Sequence, residues 1–328
     1  MDPLLILLIT LALIFDFLNG LHDSSNIVAT VISSRALSPR VALMLTAVGE
    51  FIGPFLFGVA VAETLGAGLL NISTVTFEMM IAALIGAIVW NILTWFLGIP
   101  SSSSHALVGG LLGAAISALG IAVIQIPALA IIFLALFISP PLGLLAGYLF
   151  TKLVFFLSSR ATPSINNWFK RAQIPTSFGL AMSHGANDAQ KTMGVIALGL
   201  FIAEPAGGFS VPTWVIFISA LAIALGTSFG SWRLIRTLGG RIIKVRPVHA
   251  FSSQVAGASI ILSAALLGGP VSTTQVMSSS IMGAGAAERV NMVRWQVAKD
   301  MLVAWALTIP ITGIIASIAY FIIIYFTK

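Results

Sequence analysis

Ten runs of mostly apolar residues, separated by short polar segments, constrain this chain more than any other feature. They fall at about 3–33, 41–63, 79–98, 104–123, 128–150, 174–203, 213–233, 251–268, 274–287 and 300–325. A helix of roughly 20 such residues crosses the hydrocarbon core of a bilayer. Inside that core, helices satisfy every backbone N–H and C=O within themselves, which open sheets and loops cannot do. Composition agrees: of 328 residues, 16 are Lys or Arg and 10 are Asp or Glu, so 8% are charged and 58% are hydrophobic. A soluble protein carries about 25% charged residues. Disordered, nucleic-acid-binding and ordinary cytosolic classes are excluded, and the expected partner is the lipid bilayer. The expected fold class is an all-α polytopic membrane protein with about 10–12 transmembrane elements.

The basic residues give the chain its sidedness. Arg35 and Arg40 form one group; Lys152, Arg160, Lys170 and Arg171 form a second. Arg233, Arg236, Arg241, Lys244 and Arg246 form a third, and Arg289, Arg294 and Lys299 a fourth. The connections at 64–78, 99–127 and 204–212 hold neither Lys nor Arg. Basic loops stay on the cytoplasmic side, so both termini are expected outside the cytoplasm and the plasma membrane is the expected location. The run Leu4–Phe17 lacks a basic prefix and a small-residue cleavage site, so it does not read as a removable signal peptide. With no cysteine, disulfides and thiolate metal sites are excluded.

An internal repeat is visible at two places. Gly20-Leu-His-Asp-Ser-Ser-Asn26 aligns with Gly185-Ala-Asn-Asp-Ala-Gln-Lys191 at an offset of 165, and Gly98-Ile-Pro-Ser-Ser-Ser-Ser-His105 with Gly268-Gly-Pro-Val-Ser-Thr-Thr-Gln275 at an offset of 170. Five crossings separate the first pair, which makes the halves inverted repeats. The expected organisation is a first repeat over 1–150, a cytoplasmic linker over 151–173, and a second repeat with its C-terminal helix over 174–328. The spans 3–33 and 174–203 are long and polar in the middle, and are expected to be broken or re-entrant helices. Inverted repeats with interrupted helices are the pattern of secondary transporters, whose sites lie where the repeats meet.

Asp23 and Asp188 lie inside apolar spans, where an ionised carboxylate costs about 2.5–3.5 kcal/mol on insertion scales. They read as cation ligands, with Asn26 able to turn its amide oxygen to the same site; sodium favours hard oxygen ligands, as calcium and magnesium do. Glu50 lies mid-span without a basic neighbour in sequence and reads as a coupling carboxylate for sodium or a proton, or as a protonated structural acid. Ser101–Ser104 and Ser272–Thr274 each follow Gly-x-Pro. Their hydroxyls suit an oxyanion, and helix N-termini would add to such a site, although Ser and Thr are also ordinary helix caps. Lys191 requires a partner within its span, either Asp188 three residues earlier or a bound anion. His22, His105 and His184 sit in or beside motifs and read equally as structural or site residues.

At these residues the chain resembles the inorganic phosphate transporter (PiT) family of sodium- or proton-coupled symporters, over nearly its whole length. Asn19-Gly-Leu-His-Asp-Ser-Ser-Asn26 with Ile27-Val-Ala-Thr30, and Ser183-His-Gly-Ala-Asn-Asp188 with Ala189-Gln-Lys-Thr-Met-Gly194, are similar to the two family signatures. Pro100-Ser-Ser-Ser-Ser-His105 and Pro270-Val-Ser-Thr-Thr-Gln275 resemble its paired Pro-Ser motifs, and Val303-Ala-Trp-Ala-Leu-Thr-Ile-Pro310 its closing stretch. The resemblance implies an inverted-repeat fold, often a homodimer, with no prosthetic group and Na+ as coupling ion. It implies an ion site of Asp23, Asn26, Asn187, Asp188 and Glu50. It also implies phosphate ligands among Ser102, Ser103, Ser104, Ser272, Thr273 and Thr274, with Ser25 and Gln190 as neighbours. Gln254 stands where several members carry a glutamate related to Glu50 by the repeat, Gln275 replaces a histidine, and His22 replaces an asparagine.

The expected function is cation-coupled symport of inorganic phosphate by alternating access. Proton coupling and transport of another tetrahedral oxyanion such as sulfate are the near alternatives. An intramembrane serine hydrolase built on Ser183-His184 or Ser104-His105 is remote, because sequence neighbours rarely place hydroxyl and imidazole correctly. The expectation is therefore a carrier without enzymatic activity.

Overall fold

The computed structural model describes residues 2–327, and twelve α-helices make up nearly all of them. The first half contains α1 (Pro3–Ser33), α2 (Pro39–Leu56), α3 (Ala60–Glu63), α4 (Phe77–Leu97), α5 (Ser103–Leu119) and α6 (Ile126–Leu157). The second contains α7 (Ile165–Ala203), α8 (Thr213–Phe229), α9 (Trp232–Arg236), α10 (Pro247–Leu266), α11 (Thr273–Glu288) and α12 (Trp295–Thr327). The order repeats element for element. Even the short π-helical turns after α3 and α9, Thr64–Gly68 and Thr237–Arg241, recur. Only residues 158–164 of the segment between the halves lie outside helix.

Among the described residues, six helices are long and apolar enough to cross a membrane, and α8 with α9 and the π-turn after it forms a further candidate bent by 64° at its break. The outward faces of α6 and α12 carry exposed Phe137, Leu145, Leu149, Ile314, Ile318 and Phe321. Asp23, Glu50, Asp188 and Lys191 are buried instead. This inside-out distribution is that of a protein solvated by lipid, with its charges turned to the interior. The protein is a multi-pass membrane protein.

The expectation that 3–33 and 174–203 are broken is corrected. α1 is a continuous helix of 31 residues and α7 one of 39. At ~1.5 Å per residue these reach about 46 and 58 Å, longer than the ~30 Å core they must cross. Their polar middles need no unwinding, because side chains from other helices meet them. The interruptions lie instead before α5 and α11. α4 ends at Gly98, in the left-handed region at φ 70°, and α10 is followed by Gly268 at φ 73°. Such a conformation ends a helix at little steric cost only in glycine. Pro100 and Pro270 prevent the helix from resuming at once. Ser102 and Ser272 then cap α5 and α11, accepting from the N–H of His105 at 3.1 Å and of Gln275 at 3.3 Å. With 17 and 16 residues, α5 and α11 are too short to span by themselves.

The halves interlock. α1 packs on α8 and α7 on α2, while α5 packs on α12 and α11 on α6. Gly20 faces the backbone of Ile223, and Gly185 faces the backbone of Glu50, each too closely for a Cβ. Small residues of this kind let membrane helices touch backbone to backbone.

Candidate functional site

Three sets of residues converge at the centre: the middle of α1, the middle of α7, and the capped first turns of α5 and α11. Asp23 Oδ1 accepts from Thr274 Oγ1 at 2.8 Å and lies 2.9 Å from His22 Nδ1. Asp23 Oδ2 accepts from Ser103 Oγ at 3.2 Å and lies 3.5 Å from Thr273 Oγ1. Asp188 Oδ2 accepts from Thr273 Oγ1 at 3.1 Å and from Asn19 Nδ2 at 3.3 Å. Asp188 Oδ1 pairs with the Lys191 ammonium, which also donates to Ser104 Oγ at 2.6 Å. Ser104 donates in turn to the carbonyl of Val271 at 2.9 Å, tying the two interrupted segments together. Every one of these side chains is buried.

The arrangement offers both signs of charge. The first backbone N–H groups of α5 and α11 have no partner within their own helix, and each N-terminus carries partial positive charge. Together with four hydroxyls they form a donor-rich pocket for an oxyanion. Beside it, one ligand atom each from Asp23, His184 and Asp188 can gather with all three within 4.8 Å of one another, a spacing fit for a cation. Asn26 donates to Thr274 Oγ1 at 2.9 Å, which leaves its Oδ1 buried without a partner. Asn187 donates to the carbonyl of Gly269 at 3.1 Å and likewise keeps its Oδ1 free.

The structure thus brings Asp23, Asn26, Asp188, Ser103, Ser104, Thr273 and Thr274 into one cluster. Glu50 lies one residue away: its carboxylate accepts from Thr227 Oγ1 and sits 2.9 Å from His184 Nδ1. Ser102 and Ser272 are the helix caps. Ser25 donates back to the carbonyl of His22 at 3.0 Å, within its own helix. Gln190 Oε1 accepts from the N–H of Val61 at 2.8 Å, so it joins α7 to α3 instead of facing the pocket. The pairing of Lys191 with Asp188 follows the three-residue spacing. Gln254 bonds to Thr30 at 3.0 Å and Thr176 at 2.6 Å. The residue that corresponds to Glu50 is Ile223, since each backbone is the one that faces the matched glycine.

From sequence, Asn19 has no role and His184 reads equally as a structural or a site residue. Each lies four residues before its aspartate, on the same helix face, and the 165-residue offset aligns them with each other. Those two signals together would have found them. His105 Nδ1 lies 2.7 Å from Ser102 Oγ, the separation of a hydrolytic pair. Ser102 is however the N-cap three residues earlier, and His105 Nε2 has no partner among the described residues to orient it, as the acid of a triad would.

Comparison with known proteins agrees with this geometry. Residues 19–316 match the phosphate transporter family. A probable low-affinity inorganic phosphate transporter of Rhizobium meliloti is 45% identical over 97% of this chain and 96% of its own. One of Bacillus subtilis is 45% identical over 98% and 99%. A solved structure described as the sodium-dependent phosphate transporter superposes with a TM-score of 0.88, covering 98% of both chains at 25% identity. These relatives are transporters and not enzymes, and the chain belongs to the phosphate transporter family.

Proposed function

We propose that this protein carries inorganic phosphate into the cell across the plasma membrane together with a cation, by alternating access, and that the coupling cation is sodium. The observation that carries the reading is the meeting of two capped helix N-termini, α5 and α11, with the carboxylates of Asp23 and Asp188 in one buried cluster. The helix ends and the hydroxyls of Ser103, Ser104, Thr273 and Thr274 suit phosphate. Asp23, the free amide oxygen of Asn26 and the neighbouring hydroxyls suit sodium. The solved relative is sodium-dependent by its own description, which supports that choice.

Coupling is required on energetic grounds. An anion entering a cell that is negative inside is opposed by about 2.3 kcal/mol per charge per 100 mV. Each monovalent cation travelling with it removes one charge's worth of that opposition. The repeated element order, together with the basic groups, supports halves of inverted orientation. α11 ends beside the basic segment 289–299, whereas α5 ends in a segment free of Lys and Arg. Two inverted halves around one site supply the two access states.

One observation favours protons as a second reading. His184 stands between Glu50 and both aspartates, at 2.9 Å from Glu50, 3.4 Å from Asp188 and 4.0 Å from Asp23, a ready path for a proton. The test is uptake of labelled phosphate by proteoliposomes under an imposed sodium gradient, then under an imposed proton gradient. Acceleration by the sodium gradient is expected. Response to the proton gradient alone replaces sodium by protons, and indifference to both overturns the symport reading.

A further inference from the structure

Lys191 and Asn26 hold the same place in the two copies of one motif. Each lies three residues after its aspartate, Asp188 or Asp23. Each reaches to the first turn of an interrupted helix of the opposite half. Asn26 Nδ2 is 2.9 Å from Thr274 Oγ1, and Lys191 Nζ is 2.6 Å from Ser104 Oγ. Thr274 and Ser104 themselves correspond at the 170-residue offset. The two arrangements match in geometry and differ in charge.

That difference divides the cluster. Asp188 has a fixed ammonium in contact with it, and Lys191 is fully buried, with Asp188 its only carboxylate contact among the described residues. Among the described residues, no Lys or Arg contacts Asp23. Its neighbours are the Thr274 and Ser103 hydroxyls and the rings of His22 and His184. Glu50 pairs with Thr227 and His184. An interior carboxylate without an opposing charge is costly, so the Asp23 side is left to be balanced from outside the chain.

We propose that Lys191 is a tethered counter-cation that fills the second of two repeat-related cation positions, so that one free cation, and not two, accompanies each phosphate. This rests on the cation-coupled reading above. A monovalent phosphate then enters with no net charge, and a divalent one against a single residual charge. Lys191 acts as a determinant of coupling stoichiometry, where a purely structural ion pair would leave the ion count untouched.

The test counts sodium ions. Equilibrium binding of 22Na+ to the purified full-length protein in saturating phosphate should give one ion per chain. Phosphate uptake by proteoliposomes should depend on sodium with a Hill coefficient of about one. Lys191→Asn, which copies the Asn26 arrangement, should raise the count to two and the Hill coefficient above one. Lys191→Arg, which keeps the charge, should leave both at the wild-type value. Two ions bound by the wild type overturn the proposal whether or not the variants fold. An unchanged count in a folded Lys191→Asn protein also overturns it, and gradient-driven uptake that persists in the wild type leaves the symport reading standing. If no sodium binds and uptake ignores the sodium gradient, sodium symport itself fails and this inference falls with it.

Discussion

Asp23 and Asp188 stand in matched places on α1 and α7, yet their removal should have different consequences. Asn at position 23 still accepts from the Thr274 hydroxyl, which bonds the native carboxylate at 2.8 Å, and leaves no buried charge unpaired. Asp23→Asn should therefore fold normally and lose gradient-driven phosphate uptake by at least about tenfold, equivalent to ~1.4 kcal/mol. Asp188→Asn strands the Lys191 ammonium, its ion-pair partner. Breaking a buried pair from one side costs about 3–5 kcal/mol, so this variant should unfold at a clearly lower temperature. The double variant Asp188→Asn with Lys191→Met should recover stability without recovering uptake. Thermal unfolding of the purified variants separates these outcomes. Equal melting temperatures for Asp23→Asn and Asp188→Asn would remove the ion pair from any part in stability.

The interrupted helices α5 and α11 separate hydroxyls that hold the scaffold from hydroxyls that face the pocket. Ser102→Ala and Ser272→Ala each remove a helix cap, which costs about 1 kcal/mol of stability. Their effect on the apparent affinity for phosphate should stay within about threefold, well under the tenfold that ~1.4 kcal/mol represents. Ser103→Ala and Thr273→Val remove donors inside the cluster, where a hydrogen bond to a charged group contributes about 1.5–3 kcal/mol. They should weaken apparent phosphate affinity by tenfold or more in the same uptake assay. The reverse pattern would exchange the roles of cap and ligand.

Much at this scale was legible in the sequence because its causes are local. Gly98-Ile-Pro100 and Gly268-Gly-Pro270 stop a helix by steric rules, and the serines after them start one. The continuity of α1 and α7 was not legible. Asn19, Asp23 and Asn26 look like a break until partners from α7, α5 and α11 meet them, and those partners are distant in sequence. The match of Glu50 with Ile223 was hidden for a related reason. It is carried by backbone contacts to Gly185 and Gly20, which leave no shared side-chain pattern in α2 and α8.

At the scale of the whole molecule, the two halves interlock along their lengths, and where α1, α7, α5 and α11 converge they meet on hydroxyls that already have partners. Ser103, Thr273 and Thr274 all donate to Asp23 or Asp188. If phosphate binds here as proposed, the carboxylates stand in for it, occupying the hydroxyl donors it would use. Under the proposed reading, phosphate arriving alone meets hydroxyls already committed to the two aspartates, whereas a cation that draws Asp23 aside frees Ser103 and Thr274. The loading order that follows from the proposed function is cation first and phosphate second. Phosphate alone should leave the unfolding temperature of the purified protein unchanged. Added after sodium, it should raise stability by linkage, about 2.7 kcal/mol at a hundredfold excess over its dissociation constant. Equal stabilisation in either order would refute the sequence. A carrier loaded in this proposed order would not leak phosphate down its own gradient, because its own side chains would block the first step of any futile passage.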